Sequence, residues 1–301
     1  MKIQKLTILL VTILTTSCYH PKTNNKLQFD TTDAITMAQK FAKIKNHSCG
    51  SLKNDSVATL IINYLNKLTP NISNETFEIK NDTGYIIGKN IYVSINPNKP
   101  HKILLACNYD TYPTDTAQNC LSGAATVLAI AKCIAQNPNE YPAIDLIFFD
   151  GTEYWSENQN LNKIRRHCLG SQQWAKNADK HKYKCALYFY KPAHKGGVFA
   201  KEGHSNLFAT KYLKILAEIE NTLYKNNTLF TNDIAKPLNA DNCFLNKDAK
   251  IPTIAICAHH TIINKDNEEE KTPVEDDSIE NFDTTAIKHL GNIILQFCNQ
   301  W

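Results

Sequence analysis

Two carboxylates, Asp150 and Glu153, follow directly on the apolar run Ile144–Phe149. A short apolar run bounded by polar residues reads as a buried strand. The C-terminal ends of such strands are where α/β proteins gather their functional groups. Carboxylates placed there can ligate a metal ion or carry a proton. The residue before Glu153 is Thr152, whose hydroxyl does not serve as a base at neutral pH, so the acidic pair that acid–base chemistry would use is interrupted. Asp110 lies just past a second apolar run, Ile103–Cys107, and so is a candidate for the same end of a sheet; a third such run is Pro252–Ile256. His259 and His260 follow that third run and could bind a metal, or could simply be solvated; His194 and His204 stand in no ligand pattern.

The elements that must position these groups alternate. Helical spacing covers 33–45 and 55–68, the second with Val57, Leu60, Ile61, Tyr64 and Leu65 on one face. Tyr85–Ile87 and Asn90–Ile95 read as strands on either side of Gly88, followed by the strand Ile103–Cys107. Leu121–Ala135 is apolar nearly all round and reads as a buried helix. After the strand Ile144–Phe149, Ser171 is a candidate cap for a helix through Gln172–Ala178. Ala186–Tyr190 is a strand, Tyr212–Tyr224 a helix, Pro252–Ile256 a strand, and Thr285–Phe297 a final helix capped by Asp283. The acidic run Asn267–Asp277 reads as a solvated loop. Strands alternating with helices imply an α/β fold: a single domain with a twisted, mixed, mostly parallel sheet and helices on both faces. No Pro/Gly/Ser-rich linker divides the chain, so one domain is expected over 28–301.

A net charge of +4 spread over 301 residues, with no basic run, argues against nucleic acid as a partner. Lys2 and Lys5 precede an apolar stretch, Leu6–Leu14, that is too short to span a bilayer and reads as a signal peptide. Thr15-Thr16-Ser17 before Cys18 is similar to a bacterial lipoprotein cleavage box, although Thr15 stands where Leu is usual. Residues 1–18 are therefore read as a signal peptide with Cys18 as the lipidation site, and 19–27 as a polar tether. An ordinary secretory signal is the alternative. On either reading the protein is exported, and on the first it is anchored to a membrane through lipid, in the periplasm or at the cell surface. Of the cysteines after Cys18, none forms a CxxC pair, which argues against a structural zinc module. Cys107, Cys185 and Cys257 lie in apolar runs and read as core residues, while one or two disulfides among the rest are compatible with export.

The order of segments carries a resemblance. FDTTDA at 29–34, GKNIYVSINP at 88–97, KILLACNYDTYP at 102–113 and QNCLSGAATVLAIAK at 118–132 come first. IDLIFFDGTEYW at 144–155, CLGSQQWAKN at 168–177, FAKEGHS at 199–205, NADNCFLNKDAKIPTIAI at 239–256 and DDSIENFDTTAIKHLGNIIL at 276–295 complete the series. The chain resembles the zinc-dependent aminopeptidase superfamily, in particular its glutaminyl-peptide cyclotransferase branch of exported bacterial lipoproteins. That resemblance implies a site on loops at the strand ends and one zinc ion held by two carboxylates and a histidine. It also implies a neighbouring glutamate acting as general base and acid on a peptide with an N-terminal glutamine.

Matched position by position, the implied site is incomplete. The HxD motif falls on Asn108-Tyr109-Asp110, without its histidine; the metal aspartate falls on Asn119; the general base falls on Thr152, and the metal acid is kept as Glu153. An aspartate that ends the next strand falls on Tyr190, and an Asp-Asp-His motif falls on Ala240-Asp241-Asn242. The metal histidine falls on Pro273, and no histidine occurs between Thr261 and Lys288. Asn is a weak, neutral zinc ligand and Pro has no side-chain donor, so Glu153 alone would not hold zinc. Cys120, beside Asn119, could supply a thiolate, or be a core or disulfide cysteine. Trp155 and Trp174 could line a cleft for a peptide or protein N-terminus, or pack in the core.

The expectation is a catalytically inactive, glutaminyl-cyclase-like exported lipoprotein that binds or scaffolds, with no cofactor. The alternative is an active zinc-dependent cyclotransferase or aminopeptidase with a rebuilt site that uses Glu153, Asp110, Asp241 and His259 or His260. A third reading is a tethered structural subunit whose cleft is filled by Tyr190.

Overall fold

A computed structural model describes residues 29–81, 84–100, 102–112, 121–154, 167–179, 181–194, 198–199, 207–225, 238, 240–263, 269–273 and 277–301. The signal peptide, Cys18 and the tether, together with Asn119, Cys120, Trp155 and His204, lie outside the described residues.

Helices and strands alternate as α1 (Thr31–Ala42), α2 (Leu52–Leu65), β1 (Ile72–Asn81), β2 (Gly84–Ile95), β3 (Lys102–Asn108), α3 (Ser122–Gln136), β4 (Ala143–Phe149) and α4 (Leu169–Asn177). They continue as β5 (Tyr183–Tyr190), β6 (Val198–Phe199), α5 (Leu207–Tyr224), α6 (Asn242–Lys247), β7 (Thr253–Ile263), β8 (Glu269–Pro273) and α7 (Thr284–Cys298). The strands form one mixed sheet in the order β1-β2-β4-β3-β5-β7-β6, with β8 also on β7. Its centre, β4-β3-β5-β7, is parallel, and the flanking pairs are antiparallel. The parallel strands are apolar along their length because helices cover both faces. One face carries α1, α2, α3, α5 and α7, and the other carries α4 and α6. Among the described residues no helix is long and apolar enough to cross a membrane.

The caps show why the helices start where they do. Asp30 accepts from Thr32 N at 2.9 Å, Ser51 Oγ accepts from Asn54 N at 3.1 Å, and Asp283 accepts from Thr285 N and Ala286 N, as expected for that residue. α3 is buried on nearly all sides, and at Gly123 an added Cβ would sit 2.4 Å from the Phe189 carbonyl, so the helix rests directly on β5.

Several expectations are corrected. β2 runs unbroken through Gly88, which stands opposite Phe77 of β1; a Cβ there would meet the Phe77 ring at 2.3 Å, so Gly88 makes room for an aromatic ring rather than ending a strand. β1 was not expected, since its alternation shows only at Phe77 and Ile79. β7 continues to Ile263, and Glu269–Pro273, expected as loop, pairs with it as β8. Ser171 lies inside α4 and does not cap it; the helix starts after Cys168, and the Ser171 hydroxyl donates to Cys168 O at 3.0 Å. The described cysteines, Cys49, Cys107, Cys133, Cys168, Cys185, Cys243, Cys257 and Cys298, are free thiols.

Candidate functional site

The C-terminal ends of β3, β4 and β5 converge with the start of α6, and the carboxylates singled out by sequence meet there. Asp110 follows β3 and is fully buried. Its two oxygens accept from Thr152 N at 3.1 Å and Glu153 N at 3.0 Å, so it holds the loop after β4 in place. Burial, with Asp150 and Glu153 nearby, pushes its carboxyl well above the usual range. Asn108 donates through Nδ2 to Asp110 O at 3.1 Å.

Asp150 is a strut rather than a reactive group. It accepts from Asn54 Nδ2 at 2.9 Å, Lys89 N at 2.9 Å and Gly151 N at 2.9 Å, so it ties α2 and β2 to the end of β4. Gly151 takes φ +69°, a left-handed turn suited to glycine, and sends the chain toward α4.

Thr152 is buried, and its hydroxyl donates to Asp241 Oδ2 at 2.7 Å. Tyr188 OH donates to the same oxygen at 2.8 Å. Among the described residues the other oxygen of Asp241 has no hydrogen-bond partner, although the residue is fully buried. Burial raises the Asp241 pKa to about 6, opposed by the neighbouring Ser171 hydroxyl and by the hydrogen bonds from Thr152 and Tyr188.

Glu153 is half-buried. Tyr190 OH donates to its Oε1 at 2.8 Å, and Lys191 Nζ lies 3.8 Å from the same oxygen. Lys191 sits over the Tyr190 ring at 5.0 Å, and that ring stacks on Tyr188 with centroids 6.3 Å apart. Tyr190 and Lys191 therefore meet Glu153 where the expected pattern has an aspartate and open space.

Cys168 at the start of α4 takes φ +58°, and its Sγ lies 3.0 Å from His167 Nδ1. Burial first, then Asp241 and Glu153, push the thiol well above its ordinary pKa. The thiolate a nucleophile needs is therefore disfavoured. Trp174 is partly buried and packs against the core: it meets Phe149 edge-on at 6.1 Å and Tyr183 at 6.3 Å. Asp277, from the acidic run expected to be solvated, is buried at the N-terminus of α3, accepting from Ser122 N at 2.8 Å and Ser122 Oγ at 2.6 Å.

Asp110, Thr152, Glu153, Tyr190 and Asp241 are thus brought together as expected. His259 and His260 are not in a loop but in β7, where the register sets His259 opposite Pro273 and His260 opposite Thr272. Sequence reading passes over Lys191 and Tyr188, and takes Ser171 only as a helix cap. Lys191 follows a buried strand by one residue, the same signal that marked Glu153.

Comparison with solved structures supports the fold. The chain is similar to a Bacteroides thetaiotaomicron glutaminyl cyclase bound to N-acetylhistamine (TM-score 0.77, 21% identity, 90% of this chain and 98% of that one). It is equally similar to a Porphyromonas gingivalis glutaminyl cyclase (TM-score 0.77, 22% identity, 90% and 98%). A Zn-dependent exopeptidase from Parabacteroides distasonis superposes at TM-score 0.76, with 20% identity over 89% and 97% of the two chains. No curated protein sequence matches. The sequence model for peptidase family M28 matches residues 90–298. That span is most of the chain and holds Asp110, Thr152, Glu153, Tyr190, Lys191 and Asp241, and on it the protein belongs to peptidase family M28.

Proposed function

We propose that this chain is a non-catalytic member of its family: an exported lipoprotein that uses a glutaminyl-cyclase-like fold to bind or scaffold, with a peptide or protein N-terminus as the ligand its ancestry favours. The observation that carries this reading is Thr152. It stands where the resemblance requires the general base, and its hydroxyl is spent as a donor to Asp241. Losing a general acid–base group costs about 10²–10⁴-fold in rate.

The donor set does not fit zinc. A stable site takes three or four His, Cys, Asp or Glu ligands. Among the described residues no group of three or more such side chains is arranged to hold a metal ion. Asp110 spends both oxygens on loop amides, and Glu153 faces a phenol and an ammonium. The polar tether and the cleavage-box-like Thr15-Thr16-Ser17-Cys18 support export and anchoring.

The test is metal analysis of the purified protein together with cyclisation of a Gln-initiated peptide. The expected result is substoichiometric zinc and no cyclisation. Stoichiometric zinc that disappears in Glu153→Ala, or cyclisation abolished by a chelator, overturns the reading.

A second reading has one observation in its favour. The β7–β8 register sets His259 directly opposite Pro273, the position the resemblance gives to a metal histidine. An enzyme whose histidine has moved one strand across would bind zinc and lose it in His259→Ala. Zinc content unchanged by that substitution rules this reading out.

A further inference from the structure

The acidic cluster at the strand ends poses a charge problem. Asp110 and Asp241 are fully buried, Glu153 is half-buried, and each buried acid senses the charge of Glu153. A divalent cation would balance such a cluster. Without one, ionised carboxylates gathered in a low-dielectric site are costly unless another positive charge is present. Lys191 provides one. Its ammonium is 3.8 Å from Glu153 Oε1, and the two side chains are only 14% and 22% exposed.

Its placement is fixed by the fold. Lys191 takes φ +46°, a left-handed conformation unfavourable for a residue with a Cβ. Ala258 N of β7 donates to Lys191 O at 3.4 Å, and Asp283 N at the start of α7 donates to Ala193 O at 2.7 Å, so the turn after β5 is anchored on both sides. The ammonium lies over the Tyr190 ring, 5.0 Å from its centroid, and an aromatic face favours a cation. The Tyr190 hydroxyl donates to the same Glu153 oxygen, so phenol and ammonium close on one carboxylate from adjacent positions.

We propose that Lys191 is a built-in cation that takes over the charge-balancing role of the zinc in zinc-dependent relatives, and that it opposes metal binding at Glu153 independently of the ligands missing around it. This inference rests on the non-catalytic reading of the site. It adds a barrier that ligand restoration alone would not remove: a divalent ion placed on Glu153 would be repelled by a fixed ammonium and would have to displace both the ion pair and the Tyr190 hydrogen bond.

The test has two arms. In the first, thermal denaturation is measured for Lys191→Met, Glu153→Gln and the double variant of the full chain. Each single change breaks the part-buried Lys191–Glu153 ion pair and is expected to lower the Tm by about 3–8 °C. The double variant is expected to lose clearly less than the sum, because the pair is removed as a unit. Additive losses overturn the proposal. In the second arm, zinc ion is titrated into Asn119→Asp/Thr152→Glu/Pro273→His with and without Lys191→Met. Removal of the ammonium is expected to tighten zinc binding about 10- to 100-fold, and equal or weaker binding overturns the proposal. Should the restored variants fail to fold, the stability cycle decides alone. Zinc held by the unaltered protein at Glu153 would sink this inference and the non-catalytic reading together, whereas an additive cycle in a zinc-free protein sinks this inference only.

Discussion

Replacing Asp241 by Asn should stabilise the protein at neutral pH. Asp241 is fully buried, and its carboxyl is raised from the ordinary value of 3.8 to about 6, chiefly by burial. A group whose folded pKa lies above its unfolded one binds its proton more tightly in the native state. Its contribution to stability is complete below about pH 4 and is lost as pH rises through about 6. Two pH units correspond to roughly 3 kcal/mol withdrawn from the native state at pH 7. Asparagine mimics the protonated acid, and its carbonyl can still accept from Thr152 Oγ1 and Tyr188 OH, the donors to Asp241 Oδ2. Its amide would face the place of Oδ1, which has no hydrogen-bond partner among the described residues. Asp241→Asn is therefore expected to gain up to about 3 kcal/mol at pH 7, or roughly 6–12 °C in Tm, and nothing at pH 4. The assay is thermal denaturation of both proteins at each half pH unit from 4 to 8. The reasoning is refuted if the variant is no more stable at pH 7, or if its advantage does not shrink as pH falls. Other buried acids also titrate, but they are common to both proteins, so the difference isolates Asp241.

Asp145 predicts the opposite sign. It is buried in β4; burial alone would raise its pKa, but hydrogen bonds from Ser94, Tyr92 and Lys182 outweigh burial and hold it low, so its stabilisation is present at neutral pH and lost as pH falls. Asp145→Ala would strand Lys102 at 3.2 Å and Lys182 at 3.0 Å and should cost about 3 kcal/mol in urea denaturation at pH 7, a figure kept low because Lys182 is partly exposed; a loss under about 1 kcal/mol counts against the network. Asp277→Ala removes both acceptors from Ser122 at the start of α3 and should cost about 1–2 kcal/mol by the same assay, and a loss below about 0.5 kcal/mol would show that the cap carries little.

The legible parts of this fold are those where one physical rule dominates. Apolar runs fixed β3, β4 and β5 within a few residues, and Asp283 marked the start of α7, because burial and capping leave plain signatures at single positions. β1 was hidden because only Phe77 and Ile79 near its end are buried, and β8 because a charged run on a sheet margin looks like a loop. At the site, residue types predicted which groups meet but not how their hydrogen bonds are spent. The sequence cannot say that Asp110 would turn both oxygens to backbone amides, or that Tyr190 and Lys191 would share one oxygen of Glu153, because those facts depend on loop geometry. Asp150 shows the same limit: it looked like a reactive acid at a strand end and proves to be a brace between α2, β2 and β4.

Spent hydrogen bonds are the strongest physical argument about this site. A carboxylate kept for a ligand must leave lone pairs directed into open space, and the fold must bear the cost of holding it so. Asp110 accepts from two loop amides, Asp150 from two amides and an asparagine, and Glu153 from a phenol with an ammonium beside it. These acids brace the scaffold. Asp241 Oδ1 differs: it is buried and, among the described residues, without a hydrogen-bond partner. If Asp241→Asn stabilises the protein as worked out above, the chain bears a cost of a few kcal/mol for that carboxylate, which bracing alone does not justify. The Thr152–Asp241–Tyr188 triangle would then be the one part of the cluster whose charge bracing does not account for, and the pH series on Asp241→Asn is the measurement that decides it.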